Sequence, residues 1–202
     1  MSKADRTRQY IIEKVAPVFN RKGYAGTSLS EMEDATGLTK GSIYGNFKGG
    51  KDEVAVAAFD WNLELLRAEL IKRIKAEDNA LDKLRVYPRF YRRIFEKTLD
   101  WGGCVILNTV TDSDDGGTPG HELLYEKARK ALLEWEMAIV HIIQKGMERG
   151  QVRADADPEK CAALIIALTE GGILLGKSHQ DSSYLFRALD HIEYLIDSQL
   201  AP

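Results

Sequence analysis

Residues 27 to 51 read TSLSEMEDATGLTKGSIYGNFKGGK, and this stretch decides the fold of the N-terminal part of the chain. Ser28-Leu29-Ser30-Glu31 is a capping box, in which the Ser28 hydroxyl takes the Glu31 amide and the Glu31 carboxylate reaches back. The helix it opens ends near Thr36 and Gly37, where a left-handed glycine is expected. Leu38 then plugs a tight turn, and Thr39 caps a third short helix, Lys40 to Gly45, before Asn46 and Phe47. Gly49-Gly50 breaks the chain again. Leu29, Met32, Ala35, Leu38, Ile43 and Phe47 can pack with Val15, Val18 and Phe19 of the preceding helix into a three-helix core.

That packing leaves Thr39, Lys40, Gly41, Ser42 and Tyr44 facing outward on a helix narrow enough for a DNA major groove about 12 Å wide. Lys40 is the candidate for reading guanine acceptors. Gly41 costs about 1 kcal/mol of helix propensity against alanine, a cost that close approach to DNA would explain. Phosphates are expected to meet the hydroxyls of Thr27 and Ser28, the phenol of Tyr44, Asn46, Lys48, and Lys51 with the first amides of the next helix.

Working outward, helical periodicity dominates and no alternating strand run stands out, so the chain is expected to be all-α. The first helix spans about Asp5 to Arg21 and closes at Gly23. A long helix from Lys51 to about Lys75 turns Val54, Ala58, Trp61, Leu65 and Leu66 inward. Further helices are expected over Asn79 to Leu99, kinked by Pro88, over Pro119 to Gly150, from Asp157-Pro158 to about Gln180, and over Ser183 to Leu200. Between them Gly102-Gly103-Cys104 opens a short apolar piece to Thr109, and Asp112 to Gly117 is expected to be a loop.

Charge sharpens the division. The net charge is -3, yet residues 1 to 51 hold nine Lys and Arg against five Asp and Glu, a balance of +4 that leaves -7 for the remainder. A basic head on an acidic body suits a head that meets phosphate. The opening MSKADRTRQYIIEKV lacks the apolar core and cleavage site of a signal peptide, and the apolar run Cys161 to Leu175 is shorter than the roughly 20 residues of a membrane crossing. Two cysteines and no clustered Cys and His set argue against a disulfide framework or a structural metal, so a cytoplasmic protein without cofactor is expected. His121, His141, His179 and His191 fall in no recognisable catalytic motif.

From Thr7 to Val54 the chain resembles the DNA-binding domain of the tetracycline-repressor (TetR) family. The resemblance rests on Phe19, Lys22-Gly23-Tyr24, Thr27-Ser28, Ala35, Gly37 to Tyr44, Phe47-Lys48 and Lys51-Asp52-Glu53. Two positions depart from the family pattern: Asn46 replaces a frequent histidine or tyrosine, and Gly49-Gly50 replaces a common polar cap.

The resemblance implies a helix-turn-helix DNA-binding domain over 1–51 and a larger helical effector-binding and dimerisation domain over 52–202. The implied protein is a regulator, a repressor by the family pattern, which a small molecule releases from an operator in double-stranded DNA. It further implies a homodimer through the last two helices, where Ala162, Ala163, Ala167, Gly171, Gly172 and Gly176 accompany the stripe Leu185, Leu189, Ile192, Leu195 and Ile196. A monomer core using the same stripe is the alternative. Tyr87, Phe90, Tyr91, Trp101, Cys104, Asn108, Trp135 and Glu170 lie in segments that surround the effector cavity in that family, and each of them alone could equally be core packing. Cys104 has a second reading as a redox sensor and a plainer one as an inert buried thiol. An enzyme and a protein-binding helical adaptor are the competing classes, and salt-dependent DNA affinity separates the adaptor from a regulator.

Overall fold

A computed structural model describes residues 2–113 and 119–202. Among the described residues the chain is helical without strands. The helices are α1 (Lys3–Gly26), α2 (Leu29–Thr36), α3 (Lys40–Asn46), α4 (Gly50–Ala76), α5 (Ala80–Asp100), α6 (Val105–Ser113), α7 (Pro119–Glu148), α8 (Pro158–His179) and α9 (Ser183–Leu195), closed by a π-helical turn over Ile196–Leu200. They group into two compact units, residues 1–66 with 101–130, and residues 67–100 with 131–202.

Local signals set most boundaries. Both halves of the Ser28–Glu31 capping box form, and Gly37 closes α2 at φ +68°. The Thr39 hydroxyl accepts from the Ser42 amide to start α3, and the Asp157 carboxylate accepts from the Lys160 amide ahead of Pro158 to start α8. A second capping box, Ser2 with Asp5, opens α1. Gly23 has the expected positive φ, +71°, yet α1 resumes beyond it to Gly26, so the glycine is a kink rather than an end. Residues 196–200 wind as a π-turn at the end of the expected last helix. α5 passes through Pro88 without interruption. Asp112, expected in a loop, belongs to the last turn of α6; residues 114–117 of that expected loop lie outside the described residues.

In the first unit, Ile11, Val15, Val18 and Phe19 of α1, Met32 of α2, Ile43 and Phe47 around α3, and Val54, Ala58 and Phe59 of α4 form the core, each 9% exposed or less. Leu29, Ala35 and Leu38 are only half-buried. Leu65, expected to face inward, is instead 41% exposed, and Asn62 takes the buried place one turn earlier, donating from Nδ2 to the Ala16 carbonyl at 3.0 Å. Each fully buried aliphatic or aromatic side chain contributes about 1.5–3 kcal/mol of transfer free energy.

In the second unit, α5, α8 and α9 pack on one another around Leu84, Tyr87, Phe95, Ile165, Ile173, Leu185, Leu189 and Ile192. Gly172 and Gly176 are needed for this: a Cβ on Gly172 would lie 2.9 Å from Leu185 Cδ1, and one on Gly176 would lie 2.7 Å from Phe95 Cζ. Arg85 pairs with both Asp82 (2.8 Å) and Asp197 (2.5 Å) across α5 and the terminal turn. α8 has the length and composition of a membrane crossing, yet Ala162, Ile165, Thr169, Gly172, Ile173 and Gly176 are buried within the protein. Gly172 is the small residue of α8 that lies against α9, at Leu185 and Ala188.

Candidate nucleic-acid interface

Helices α1 and α2 hold α3 by polar clamps as much as by the core. Arg8 of α1 donates from Nη1 to the Asn46 carbonyl at 2.6 Å, pairs through Nη2 with Glu53 at 2.8 Å, and sits 4.0 Å from the centroid of the Phe47 ring. One guanidinium thereby ties α1 to the exit of α3 and the start of α4. Tyr10 donates its hydroxyl to the Thr36 carbonyl at 3.0 Å, fixing the end of α2. The Glu33 carboxylate accepts the Lys40 amide at 2.6 Å, which adds a second acceptor to the Thr39 cap at the α3 N-terminus. Arg8, Tyr10 and Glu33 escaped the sequence reading, because partners such as Asn46 and Thr36 lie 38 and 26 residues away.

With α3 so fixed, Thr39, Lys40 and Gly41 are exposed, and Ser42 and Tyr44 are half-buried at the edge of the same face. Space around Gly41 is open, with no atom within 4 Å of where a Cβ would stand. Burial, and secondarily the charge of Glu33, pushes the Tyr44 phenol up, so it stays a neutral donor at physiological pH.

The expected phosphate contacts divide. Ser28 and Lys48 are exposed. Asn46 is half-buried and donates to the Ser42 carbonyl at 2.8 Å. Thr27 is fully buried, with its hydroxyl donating to the Gly23 carbonyl at 2.7 Å, and so serves the α1 kink; this corrects its assignment as a phosphate contact. At the N-terminus of α4 the Glu53 carboxylate already accepts the Gly49 amide at 2.9 Å, and Asp52 lies in the same turn, so the helix dipole there is complemented from within. Lys51 is half-buried with its ammonium 4.4 Å from the centroid of the Tyr24 ring.

Behind this surface α6 is fastened to the end of α1. Asn20, 8% exposed, donates from Nδ2 to the carbonyls of Trp101 (2.7 Å) and Gly103 (3.1 Å). Asn108 of α6 donates back to the Asn20 carbonyl (3.0 Å), to Asn20 Oδ1 (3.2 Å) and to the Gly102 carbonyl (2.8 Å). Gly102 has φ +103°, and a Cβ there would stand 3.0 Å from the Arg21 Cα and from the Asn20 carbonyl oxygen. Asp112, one turn on, accepts the Tyr24 amide at 2.6 Å.

The eight expected effector residues fall in both units. Trp101 (40% exposed), buried Cys104 and half-buried Asn108 belong to the first. Tyr87, Phe90, Tyr91, Trp135 and Glu170 belong to the second, where Tyr91 lies 5.9 Å from Trp135 and 5.6 Å edge-on to Phe90, centroid to centroid. The Trp135 indole N–H is buried without a hydrogen-bond partner, and both Glu170 carboxylate oxygens are buried. Desolvation holds the Tyr87 phenol above its ordinary range. Burial of Cys104 denies it the access that an oxidant-sensing thiol needs. Among the described residues no cluster of His, Cys, Asp and Glu could hold a metal.

The expected dimer stripe is spent within the protomer: Leu185, Leu189, Ile192 and Ile196 are each 0% exposed. What α8 and α9 leave outside is a different set, with Ala163 and Ala167 exposed and Leu174, Leu175 and Tyr194 at 55%, 46% and 62%.

Comparison with known proteins agrees with this architecture. The model of bacterial regulatory proteins of the tetR family matches residues 11–58, and that of the tetracyclin repressor-like C-terminal domain matches residues 80–192. The chain is 28% identical over 170 residues to the HTH-type transcriptional repressor DhaR of a Mycobacterium species, covering 83% of this chain and 80% of that protein. Crystal structures of TetR-family regulators from Cytophaga hutchinsonii (42% identity, TM-score 0.89) and Chloroflexus aurantiacus (34%, 0.91) each cover 100% of this chain, which covers 98% and 99% of theirs. The chain therefore belongs to the TetR family of helix-turn-helix transcriptional regulators, DNA-binding proteins and not enzymes.

Proposed function

We propose that this regulator works as a cytoplasmic homodimeric repressor, with residues 1–51 reading the operator and residues 52–202 pairing the protomers and taking the effector. The observation that carries the reading is the outward face of α3, where Lys40 projects beside an unobstructed Gly41 on a helix clamped at both ends. Lys40 reads bases, with Thr39 and Ser42 beside it; Ser28, Tyr44, Asn46, Lys48 and Lys51 hold phosphates and set the register. The exposed face of α8 and α9, small at Ala163 and Ala167 and apolar at Leu174 and Tyr194, pairs with its own copy. Two-fold pairing sets two recognition helices on half-sites one helical turn, about 34–36 Å, apart.

The effector is a small apolar or aromatic molecule received by Phe90, Tyr91 and Trp135, with the unsatisfied Trp135 N–H seeking an acceptor on it. Its binding displaces α4 and changes the spacing of the two heads. The test is selection of bound duplexes from random DNA by the purified protein, followed by titration of the recovered sequence. Lys40→Ala should weaken binding and relax preference at one base position of each half-site, by about 10-fold or more. An unchanged preference in that variant refutes the assignment of α3 as the reading helix.

A further inference from the structure

The last turn of α6 brings a carboxylate up to a lysine on the DNA-facing side. Asp112 Oδ2 accepts the Tyr24 backbone N–H at 2.6 Å, and its carboxylate occupies the hollow at Gly23, where a Cβ would stand 2.2 Å from Oδ1. Tyr24 is the spacer. Its ring carries Lys51 Nζ at 4.4 Å from the centroid, and its hydroxyl donates to Asp52. Around Lys51 burial lowers the ammonium pKa, while Asp52, Asp112 and Glu31 act in the opposite sense. Two of these carboxylates stand on α4 and α2, the helices that carry the DNA-facing groups, so they stay with Lys51 wherever the head goes. Asp112 is the one that arrives on α6.

We propose that Asp112 is an electrostatic brake on operator binding: seated against the α1 kink, its charge competes with a DNA phosphate for Lys51, so the position of α6 sets the strength of that contact. A lysine that already feels a nearby carboxylate gains less from a phosphate, because part of the attraction is in place before DNA arrives. Withdrawal of Asp112 restores the full gain. The brake rests on the reading of Lys51 as a phosphate contact.

The experiment separates the two claims. Fluorescence anisotropy would follow the full-length protein on its selected operator duplex, at about 50 and 200 mM salt, for the parent, Asp112→Asn, Lys51→Met and the double variant. Asparagine keeps an oxygen for the Tyr24 amide and removes only the charge. Asp112→Asn should tighten binding about threefold to fivefold at the lower salt, as expected for one partly screened charge pair, with less gain at the higher salt. In the Lys51→Met background the gain should vanish. A gain that persists there would mean direct repulsion of the phosphate, and an Asp112→Asn protein that binds no better would mean no brake at all; either overturns the proposal. If Lys51→Met alone leaves affinity and salt slope unchanged, it is the phosphate assignment of Lys51 that fails. Hydrogen exchange at the Tyr24 amide in Asp112→Asn should match the parent, and faster exchange with weaker binding would show that the carboxylate only fastens α1.

Discussion

Removing the Arg8 guanidinium should loosen α3 without altering any side chain assigned to DNA. Arg8 makes a charge-assisted hydrogen bond to the Asn46 carbonyl, worth about 1.5–3 kcal/mol. Its stacking on Phe47 adds about 0.5–1 kcal/mol, and its half-exposed pairing with Glu53 adds between about 0 and 1 kcal/mol. The three contacts share one side chain and are not independent, so Arg8→Ala should cost about 2–4 kcal/mol locally. At about 1.4 kcal/mol per tenfold, that raises the open fraction of α3 roughly 30-fold to several hundredfold. Native-state hydrogen exchange at the Ile43 and Phe47 amides reads this directly, since local opening governs their exchange. Arg8→Lys keeps the charge but loses the planar fork, and should fall between the two. Acceleration below about threefold in Arg8→Ala would refute the clamp and leave the apolar core as the sole support of α3.

Other consequences are as specific. Asn108→Leu removes two donated hydrogen bonds from α6 to Asn20 of α1 and one to the Gly102 carbonyl, and leaves Asn20 buried; melting should shift downward by the equivalent of about 2–4 kcal/mol, and an unchanged melting temperature would show the fastening to be idle. Hydrogen bonds from Ser2 to Asp5, from Lys22 to Glu31 and from Gly49 to Glu53 hold those carboxylates below their ordinary range. Lowered folded-state values stabilise the native state above the unfolded values, 3.8 for Asp5 and 4.5 for Glu31 and Glu53, and that support is lost as pH falls through the folded ones. Helicity of the head should therefore decline as pH falls below about 4.5, and Glu31→Gln should flatten the acid limb of a pH titration followed by circular dichroism. Leu174→Asp places a charge on the exposed α8 face and should convert dimer to monomer in sedimentation; a dimer of unchanged stability would place the interface elsewhere.

The local grammar of the helix ends was readable because its signals span a turn or less. Ser28 with Glu31, Thr39 ahead of Lys40, Gly37 at the close of α2 and Asp157 before Pro158 each act within three or four residues, and each forms. What joins the elements was not readable. Arg8 reaches Asn46 across 38 residues and Asn108 reaches Asn20 across 88, and a lone Arg or Asn carries no sign of so distant a partner. Thr27 misled because a hydroxyl beside a helix N-terminus serves a phosphate or a carbonyl equally well, and burial decided for the Gly23 carbonyl. The α9 stripe misled for a related reason: periodicity reports that a face is buried, and not whether its own chain or a second copy covers it. Here α5 and α8 cover it.

Gly102 has a genetic corollary. Any single-base change that turns a glycine codon into another amino acid adds at least a methyl group, and at this position the methyl would meet the backbone of residues 20 and 21, which no rotamer change can move aside. In a randomly mutagenised population this codon should tolerate no missense allele, whatever the polarity or size of the newcomer. The Gly41 codon, opening on empty space, should instead yield alleles graded by side-chain size, and the contrast between the two tells a lesion of scaffold from a lesion of contact.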